Sequence, residues 1–170
     1  VDWVQDAAGN RTLVSYDAAS GRKRSVTNPA DKRTYFDYNA RGQLTHTWGE
    51  VPYPVRYEYD AAGRRTHMHT YRGSEDFEGS SFPADASGDV TRWEYDPATA
   101  LLVRKTDAAG KGTSYSYGAG GRLATRTWAR GIVTSYDYDP ATAELQTIRY
   151  SDGTPGVSFG YDRLGRQQSV

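Results

Sequence analysis

Residues 59–66 read Tyr59-Asp60-Ala61-Ala62-Gly63-Arg64-Arg65-Thr66, and recognisable copies of this stretch recur from one end of the chain to the other. Each copy begins with a tyrosine, which we call the marker tyrosine. The seven markers are Tyr16, Tyr38, Tyr59, Tyr95, Tyr117, Tyr138 and Tyr161, and successive markers are 22, 21, 36, 22, 21 and 23 residues apart. A period of about 20 to 50 residues indicates stacked supersecondary units. The sequence therefore predicts a repeat array.

The residues before each marker alternate between two chemical classes. In residues 55–59, an apolar or aromatic residue alternates with a charged one, and the marker belongs to the apolar class. This period of two is typical of a β-strand, in which successive side chains point to opposite faces of the sheet. The polar class directly before the markers includes Asp37, Glu58, Ser116 and Asp137. We therefore expect one apolar face that carries the markers and one polar, solvated face.

The residues after each marker predict a chain reversal. An aspartate can accept backbone N–H bonds in an Asx-turn, and a glycine can adopt positive φ, as we expect for Gly63 and Gly110. A second strand follows, so each unit is a hairpin of two antiparallel strands. The residues assigned to this structural repeat are Tyr16, Asp17, Gly21, Tyr38, Gly42, Tyr59, Asp60, Gly63, Tyr95, Asp96, Tyr117, Gly121, Tyr138, Asp139, Tyr161, Asp162 and Gly165. The prediction is an all-β chain with essentially no helix and about fourteen strands in seven hairpins.

The composition excludes several classes of protein. The 21 basic and 21 acidic residues cancel to a net charge of +0 and are interspersed, so binding to nucleic acid is not implied. The chain has no cysteine, which excludes a disulfide scaffold, a thiolate metal site and a cysteine nucleophile. No apolar run approaches the roughly 20 residues of a membrane-spanning helix. We therefore expect no nucleic-acid partner and no membrane-spanning segment.

One interval between markers is 36 residues long and departs from the repeat period, and the additional residues lie in residues 73–89. We interpret this segment as a loop insertion that makes a surface excursion, because the entropy of loop closure grows only slowly with loop length. The alternative is a contact loop whose Phe77 and Phe82 dock on a partner or cover the sheet. Residues 1–170 otherwise form a single repeat array.

The search for a chemical site finds little. No serine lies in a nucleophile elbow, no glycine-rich loop precedes a helix, and most aspartates occupy turns, so we predict no enzyme, no catalytic residue and no cofactor. The weak metal candidates are His67 and His69, which share one strand face. His46 occupies the same repeat position as His67, but equivalent residues in successive hairpins lie about 10 Å apart, too far to share one ion directly. Solvated strand histidines are the alternative.

The repeated Tyr-Asp-Ala-Ala-Gly-Arg unit, residues 127–134 and residues 161–166 resemble the RHS (YD) repeats of bacterial polymorphic toxins, toxin-complex cocoon subunits, wall-associated proteins and teneurins. The resemblance covers nearly the whole chain. It implies a continuous, curled sheet that forms part of a spiral, shell or tube, often around a C-terminal toxin. It also implies a bacterial protein that is secreted or lies at the cell surface.

This sequence departs from the repeat at several turns. Gly118 and Asn39 replace the aspartate, while Ala100 and Ala143 stand where glycine is usual. Because alanine at positive φ costs about 1 kcal/mol, we expect these turns to be looser or differently shaped.

Three functions follow from a repeat sheet of this kind. The first is a non-catalytic shell segment that encloses or delivers a toxin or other cargo, with the cargo sequence beyond Val170. The second is a repeat of a surface filament or stalk, in which further repeats or identical chains pair edge to edge. The third is an adhesive module whose aromatic residues bind glycans. The chain starts at Val1 without a signal peptide, and we interpret it as a segment of a longer protein.

Overall fold

The computed structural model describes residues 2–73, 77–84 and 87–170. Over these ranges it contains sixteen strands and a 3₁₀ turn at Ala119–Gly121. The chain divides into two compact units, Val1–Thr91 and Arg92–Val170, with the boundary inside strand β8. The predicted all-β chain of antiparallel hairpins is confirmed.

The strands of the first unit follow the predicted alternating segments, and each marker tyrosine is the last residue of its strand. They are β1 (Asp2–Gln5), β2 (Arg11–Tyr16), β3 (Lys23–Thr27), β4 (Arg33–Tyr38), β5 (Leu44–Gly49), β6 (Val55–Tyr59), β7 (Arg65–Thr70) and the start of β8 (Asp89–Tyr95).

The second unit repeats this arrangement. Its elements after β8 are β9 (Leu102–Thr106), β10 (Gly112–Tyr117), a 3₁₀ turn (Ala119–Gly121), β11 (Leu123–Thr127), β12 (Val133–Tyr138), β13 (Leu145–Tyr150), β14 (Val157–Ser158), β15 (Gly160–Tyr161) and β16 (Gln167–Ser169). The seven marker hairpins are present, and β1 and β14 are additional strands.

Strand order in space follows strand order in the chain. Fourteen of the described strands, β1 to β14, form one antiparallel sheet in sequence order, and β15 and β16 form a separate pair. The register shifts by one residue directly before every marker tyrosine, for example between Glu58 and Tyr59. Such a bulge is the usual companion of a type I turn that ends in a left-handed residue. The turn sequence thus sets the register of each hairpin.

The turns come in two lengths. In the common form the N–H of Gly63 donates to the carbonyl of Asp60 at 3.0 Å, and Gly63 has a φ of 83°. Gly110 has a φ of 75°, so positive φ at both glycines is confirmed. The longer form carries one more residue, as in the turn from Asp96, where the N–H of Ala100 donates to the Asp96 carbonyl at 2.9 Å.

The prediction that the alanine turns are looser or differently shaped is wrong, because they keep the left-handed shape of the Gly21 turn, whereas the turn at Gly118 does differ. Ala100 and Ala143 are in the left-handed region with φ of 62° and 65°. The turn that begins at Gly118 contains the 3₁₀ segment and has positive φ at both Gly120 and Gly121. Asn39 keeps the common form, because its side-chain oxygen accepts from the N–H of Arg41 at 3.0 Å.

Candidate functional site

One face of the first unit carries all three histidines, and we call it the histidine face. Residues directly opposite in a ladder share a face. The pairs Asp37 with His46, His46 with Arg56, and Arg56 with His69 therefore lie on one side of the sheet. Tyr35 opposite Trp48 and Glu58 opposite His67 lie on the same side. This is the face on which the sequence predicted polar residues.

Glu58 is the centre of a polar cluster on this face. One carboxylate oxygen lies 2.6 Å from Nη2 of Arg56 and 3.0 Å from Nε2 of His69. The other oxygen lies 3.4 Å from Nδ1 of His67. A single carboxylate thus hydrogen-bonds to a guanidinium and one imidazole and lies beside a second imidazole, which gives each of these strand side chains a partner.

The metal candidates His67 and His69 are therefore brought together by Glu58, with ring centroids 6.1 Å apart. Within residues 2–73, 77–84 and 87–170, no group of three or more His, Cys, Asp or Glu side chains could hold a metal ion. His46 lies elsewhere on the face, with Nδ1 4.0 Å from a carboxylate oxygen of Asp37. Burial lowers the pKa of His46, with Asp37 opposing this effect and the nearby charge of Arg56 adding to it.

An aromatic cluster lies beside these polar groups. Trp48, Tyr71 and Phe77 are buried, and Tyr35 and Phe82 pack against them. The Trp48 ring stacks on Tyr35 at 5.2 Å between centroids and meets the edge of Phe82 at 5.7 Å. Burial raises the pKa of the Tyr71 hydroxyl. The polar face predicted from the sequence therefore holds the largest buried aromatic side chains of the described chain.

The cover of this cluster comes from residues 77–84, which we call the strap. Phe77 has 3% of its surface exposed, and its ring lies 5.2 Å from both Tyr71 and Phe82. The indole N–H of Trp48 donates to the carbonyl of Gly79 at 2.9 Å, which fixes the strap backbone on the sheet. The interpretation of residues 73–89 as a surface excursion is therefore wrong for the strap. The alternative, a loop that covers the sheet, is the one observed; residues 74–76 and 85–86 lie outside the described residues.

A cleft of about 460 Å³ lies between the strap and the sheet. The sheet side is lined by Arg24, Asp37, His46, Arg56 and Tyr71, and strap residues such as Ser80 line the other side. Its lining places an imidazole, two guanidinium groups and a carboxylate within one open, polar depression.

The marker tyrosines make contacts that the sequence did not predict. The hydroxyl of Tyr59 donates to the carbonyl of Leu44 at 2.7 Å. Tyr117 donates to the carbonyl of Leu102 at 2.7 Å, and Tyr161 to that of Leu145 at 2.9 Å. Each acceptor is the first residue of a strand in the preceding hairpin. These three markers therefore link one repeat to the one before it, and only the 15- or 16-residue spacing from leucine to tyrosine signals this link in the sequence.

The repeat aspartates serve the turns, as predicted. Oδ1 of Asp60 accepts from the N–H of Arg64 at 2.9 Å, and Oδ2 accepts from the Arg64 side chain at 2.7 Å. The backbone bond from Arg64 is the main reason that the pKa of Asp60 is lowered. Asp17, Asp96, Asp139 and Asp162 also have lowered pKa values because they accept bonds within their turns. These carboxylates are engaged in stabilising chain reversals.

Several aromatic rings that a glycan would need for stacking lie beneath cationic side chains. The nitrogen of Lys23 lies 4.6 Å from the Phe36 ring centre, and the guanidinium of Arg65 lies 4.2 Å from that of Tyr57. In the second unit, Arg126 lies 3.6 Å from the centre of Trp128. Cation–π contacts of this kind stabilise the strands without any ligand.

The residues that the structure describes contain no helix with the length and apolarity that a membrane crossing requires.

Comparison with known proteins gives one match to a family. The RHS repeat matches residues 101–127, which contain β9, β10 and β11 with their connecting turns. No curated protein matches the sequence.

Several solved structures are similar to this chain at low identity. The crystal structure of TcdB2-TccC3 without its hypervariable C-terminal region is 14% identical, with 97% of this chain and 11% of that chain covered and a TM-score of 0.43. The crystal structure of TcdB2-TccC3 is 15% identical, with 98% and 12% covered and a TM-score of 0.39. The Tc holotoxin pore of Photorhabdus luminescens, with the TccC3 mutation D651A, is 15% identical, with 97% and 11% covered and a TM-score of 0.35.

This chain thus spans about a tenth of the length of the solved chains that it matches. The segment that matches the RHS repeat has the same marker and bulge as the other hairpins along the sheet, although its turn at Gly118 is differently shaped. Residues 101–127 of this chain therefore match an RHS repeat.

Proposed function

We propose that this chain is a non-catalytic structural segment of an RHS-repeat shell that encloses or delivers a toxin or other cargo. The observation that carries the proposal is the array of fourteen strands in chain order, built from the RHS unit. Native sheets twist by roughly 20–25° from strand to strand, and open sheets rarely exceed about ten strands without curling or splitting. A strip of this kind, extended by further repeats, becomes a wall.

The engagement of the repeat residues supports a structural role. The aspartates accept turn hydrogen bonds and marker tyrosines link adjacent hairpins, so the residues that recur in every repeat hold the sheet together. A wall needs this uniformity, because each repeat must present the same edge to its neighbours. The partners that we propose are further repeats of the same or identical chains, together with the enclosed cargo.

Electron cryomicroscopy of the full-length parent protein tests this proposal. We expect closed hollow particles with additional density inside, together with a segment that resists protease until the shell is opened by denaturant. Particles that associate end to end into fibres would instead support the filament or stalk. Binding of the parent protein to a glycan array, without enclosed density, would support the adhesive module.

We also propose that the parent protein is secreted or lies at the cell surface of a bacterium, as RHS repeats in toxins suggest. Fractionation of the producing cells with an antibody against this segment tests the location. Recovery exclusively from the cytosol under conditions of secretion would contradict it.

A further inference from the structure

A depression of about 510 Å³ lies in the first unit, at the ends of the neighbouring hairpins β2–β3 and β4–β5. Three consecutive cationic residues line it, namely Arg22, Lys23 and Arg24. Successive side chains of a regular strand point to opposite faces of the sheet, so regular pairing would separate these charges. Their convergence on one depression requires a local irregularity in the strand.

The bulge of hairpin β2–β3 supplies this irregularity. Lys23 and Ser25 pair with adjacent residues of β2, so Arg24 between them is the extra residue without a partner in that ladder. A bulge of this kind bends the strand and re-aims its side chains. Lys23 and Arg24 can therefore line the same depression although they are neighbours in the chain.

Arg22 reaches the depression across the neighbouring turn. A Cβ on Gly42 would lie 2.7 Å from Nη2 of Arg22, so the glycine leaves the space that the guanidinium occupies. The corresponding residues of hairpin β4–β5 are Gln43, Leu44 and Thr45, none of which is charged. The cationic triplet is therefore a departure from the repeat and is not needed to build a hairpin.

The three cations form no ion pair within the described part of the chain. Two carboxylates line the depression, Asp17 and Asp37. Oδ1 of Asp17 accepts from the N–H and the hydroxyl of Ser20, both at 2.8 Å, and these bonds lower its pKa more than the charge of Arg24 does. Oδ2 of Asp37 lies 4.0 Å from Nδ1 of His46. Positive charge is therefore in excess at the depression.

We propose that this depression binds a phosphate monoester carried by a small polyol, either free in solution or as a lipid head group. A phosphate monoester has three terminal oxygens and a charge of about −1.5 to −2 at pH 7, which three converging cations match. The planar guanidinium of arginine binds two phosphate oxygens at once. A carboxylate has a single charge and two oxygens, so it would use the three cations less completely.

The rest of the lining fits the body of such a ligand. The carboxylate of Asp37 can accept from a ligand hydroxyl, and the Ser20 oxygen, whose proton goes to Asp17, can accept from another. The nitrogen of Lys23 lies 4.6 Å from the centre of the Phe36 ring, which is also part of the lining. The volume falls within the range of about 300–1,000 Å³ that is usual for small-molecule sites.

Titration of the whole chain with glycerol 3-phosphate, followed by ¹⁵N–¹H NMR, tests the proposal. We expect saturable shifts of the backbone amides of residues 20–24 and 37–40, and no shifts with glycerol. Added salt should weaken the binding, because it screens solvent-exposed charges. Shifts that do not saturate, or that are equally large at a distant cation such as Arg163, would contradict the proposal.

Charge variants identify the cations that bind. Lys23→Gln and Arg24→Gln should each weaken the binding of glycerol 3-phosphate about tenfold, because each removes a charged donor to the phosphate. Arg163→Gln, which removes an exposed cation from the turn of the last hairpin, is the control and should bind as the parent does. Unchanged affinity in Arg24→Gln, in a variant whose spectrum shows a folded chain, would refute the site.

Two glycine variants test the place of Arg22. Gly42 and Gly63 have φ of 82° and 83°, so alanine costs the backbone the same at both positions. At Gly42 the new Cβ would displace the Arg22 guanidinium, whereas at Gly63 it would meet the uncharged Nε2 of Gln43 at 3.3 Å. Gly42→Ala should therefore weaken binding and Gly63→Ala should not. Equal affinities in the two variants would remove Arg22 from the site.

Vesicles distinguish the two sources of the phosphate. If the ligand is a lipid head group, the chain should sediment with vesicles of equal parts phosphatidylcholine and phosphatidic acid, and glycerol 3-phosphate should release it. If the ligand is free, glycerol 3-phosphate should bind while the chain stays in the supernatant. The proposal fails if neither the soluble phosphate nor the vesicles bind, or if Arg24→Gln sediments with the vesicles as the parent does.

Discussion

The three longer turns place a left-handed residue at the same position, but they do not use the same amino acid. Gly21, Ala100 and Ala143 have φ of 67°, 62° and 65°, and in each case the N–H donates to the carbonyl of the turn aspartate. The backbone shape is therefore set by the turn, and two alanines adopt it against their own preference. A left-handed alanine costs roughly 1–2 kcal/mol.

Ala100→Gly should therefore stabilise the chain. Glycine removes the Cβ penalty but loses more backbone entropy on folding, about 0.5–1 kcal/mol, so we expect a net gain of about 0.5 kcal/mol. Urea unfolding followed by circular dichroism measures it. Ala98→Gly in the same turn is the control, because Ala98 has no positive φ to relieve and should lose stability. A lower unfolding midpoint for Ala100→Gly than for the parent would show that the turn carries no such strain.

The turn aspartates make stability depend on acid pH. Their pKa values are lower in the folded chain than the ordinary value of 3.8, mainly because backbone and side-chain donors in the turn bind the carboxylate. The stabilisation is therefore fully present above the unfolded pKa and is lost as the pH falls through the folded pKa values. We expect the urea concentration at the midpoint of unfolding to decrease when the pH is lowered below about 4.

Asp60→Asn should weaken this acid dependence. An asparagine keeps a side-chain oxygen that accepts backbone N–H bonds, as Asn28 and Asn39 do in two natural turns of this chain. It does not titrate. The test measures how steeply the urea midpoint of unfolding changes between pH 5 and pH 2.5 in the parent and in the variant. Equal slopes would assign the acid sensitivity to other groups.

At the scale of the hairpin, the marker tyrosine is a link between neighbours. Tyr59→Phe removes the hydrogen bond to the Leu44 carbonyl and keeps the ring, so we expect a loss of about 0.5–1.5 kcal/mol in the free energy of unfolding. Tyr57→Phe, on the same strand beneath Arg65, is the matched control and should change stability by less. Equal losses for the two variants would mean that the Tyr59 hydroxyl has no special role.

The hairpins were predictable because two local signals agree. The alternation before each marker and the Asp-x-x-Gly turn after it define the strand and the reversal within about ten residues, and neither depends on distant contacts. The link from Tyr59 to Leu44 was not predictable in the same way, since it needs the register between strands of successive hairpins.

The strap was misread for the same reason. Residues 73–89 show no period of two or 3.6, and local pattern does not reveal whether Phe77 points to solvent or to the sheet. Tyr35 and Trp48 also lie on the face that Asp37 and Glu58 mark as polar. Two features of the sequence did indicate a cover. The long interval contains two phenylalanines, and aromatic residues occupy some of the strand positions that face the polar side of the sheet.

At the scale of the whole chain, the array behaves as a series of repeats in which each strand contacts its immediate neighbours. Stability in such arrays is approximately a sum of repeat terms and nearest-neighbour terms. The buried aromatic cluster, however, lies entirely in the first unit, in Trp48, Tyr71 and Phe77. The first unit therefore has a stabilising element that the regular hairpins lack.

Phe77→Ala should consequently destabilise the two units unequally. Removing a buried phenylalanine ring costs about 3–5 kcal/mol, and the lost contacts are with Tyr71 and Phe82 in the first unit. In protein labelled with 5-fluorotryptophan, fluorine NMR follows urea unfolding at each tryptophan separately. The unfolding transition at Trp48 should move to a much lower urea concentration, while the transitions at Trp93 and Trp128 in the second unit should move little. Leu164→Ala, at a side chain that is 77% exposed, should move neither transition and serves as the control. If all the tryptophans of the Phe77→Ala chain unfold together at the lowered midpoint, the array is a single cooperative unit, and the additive description of its repeats is wrong.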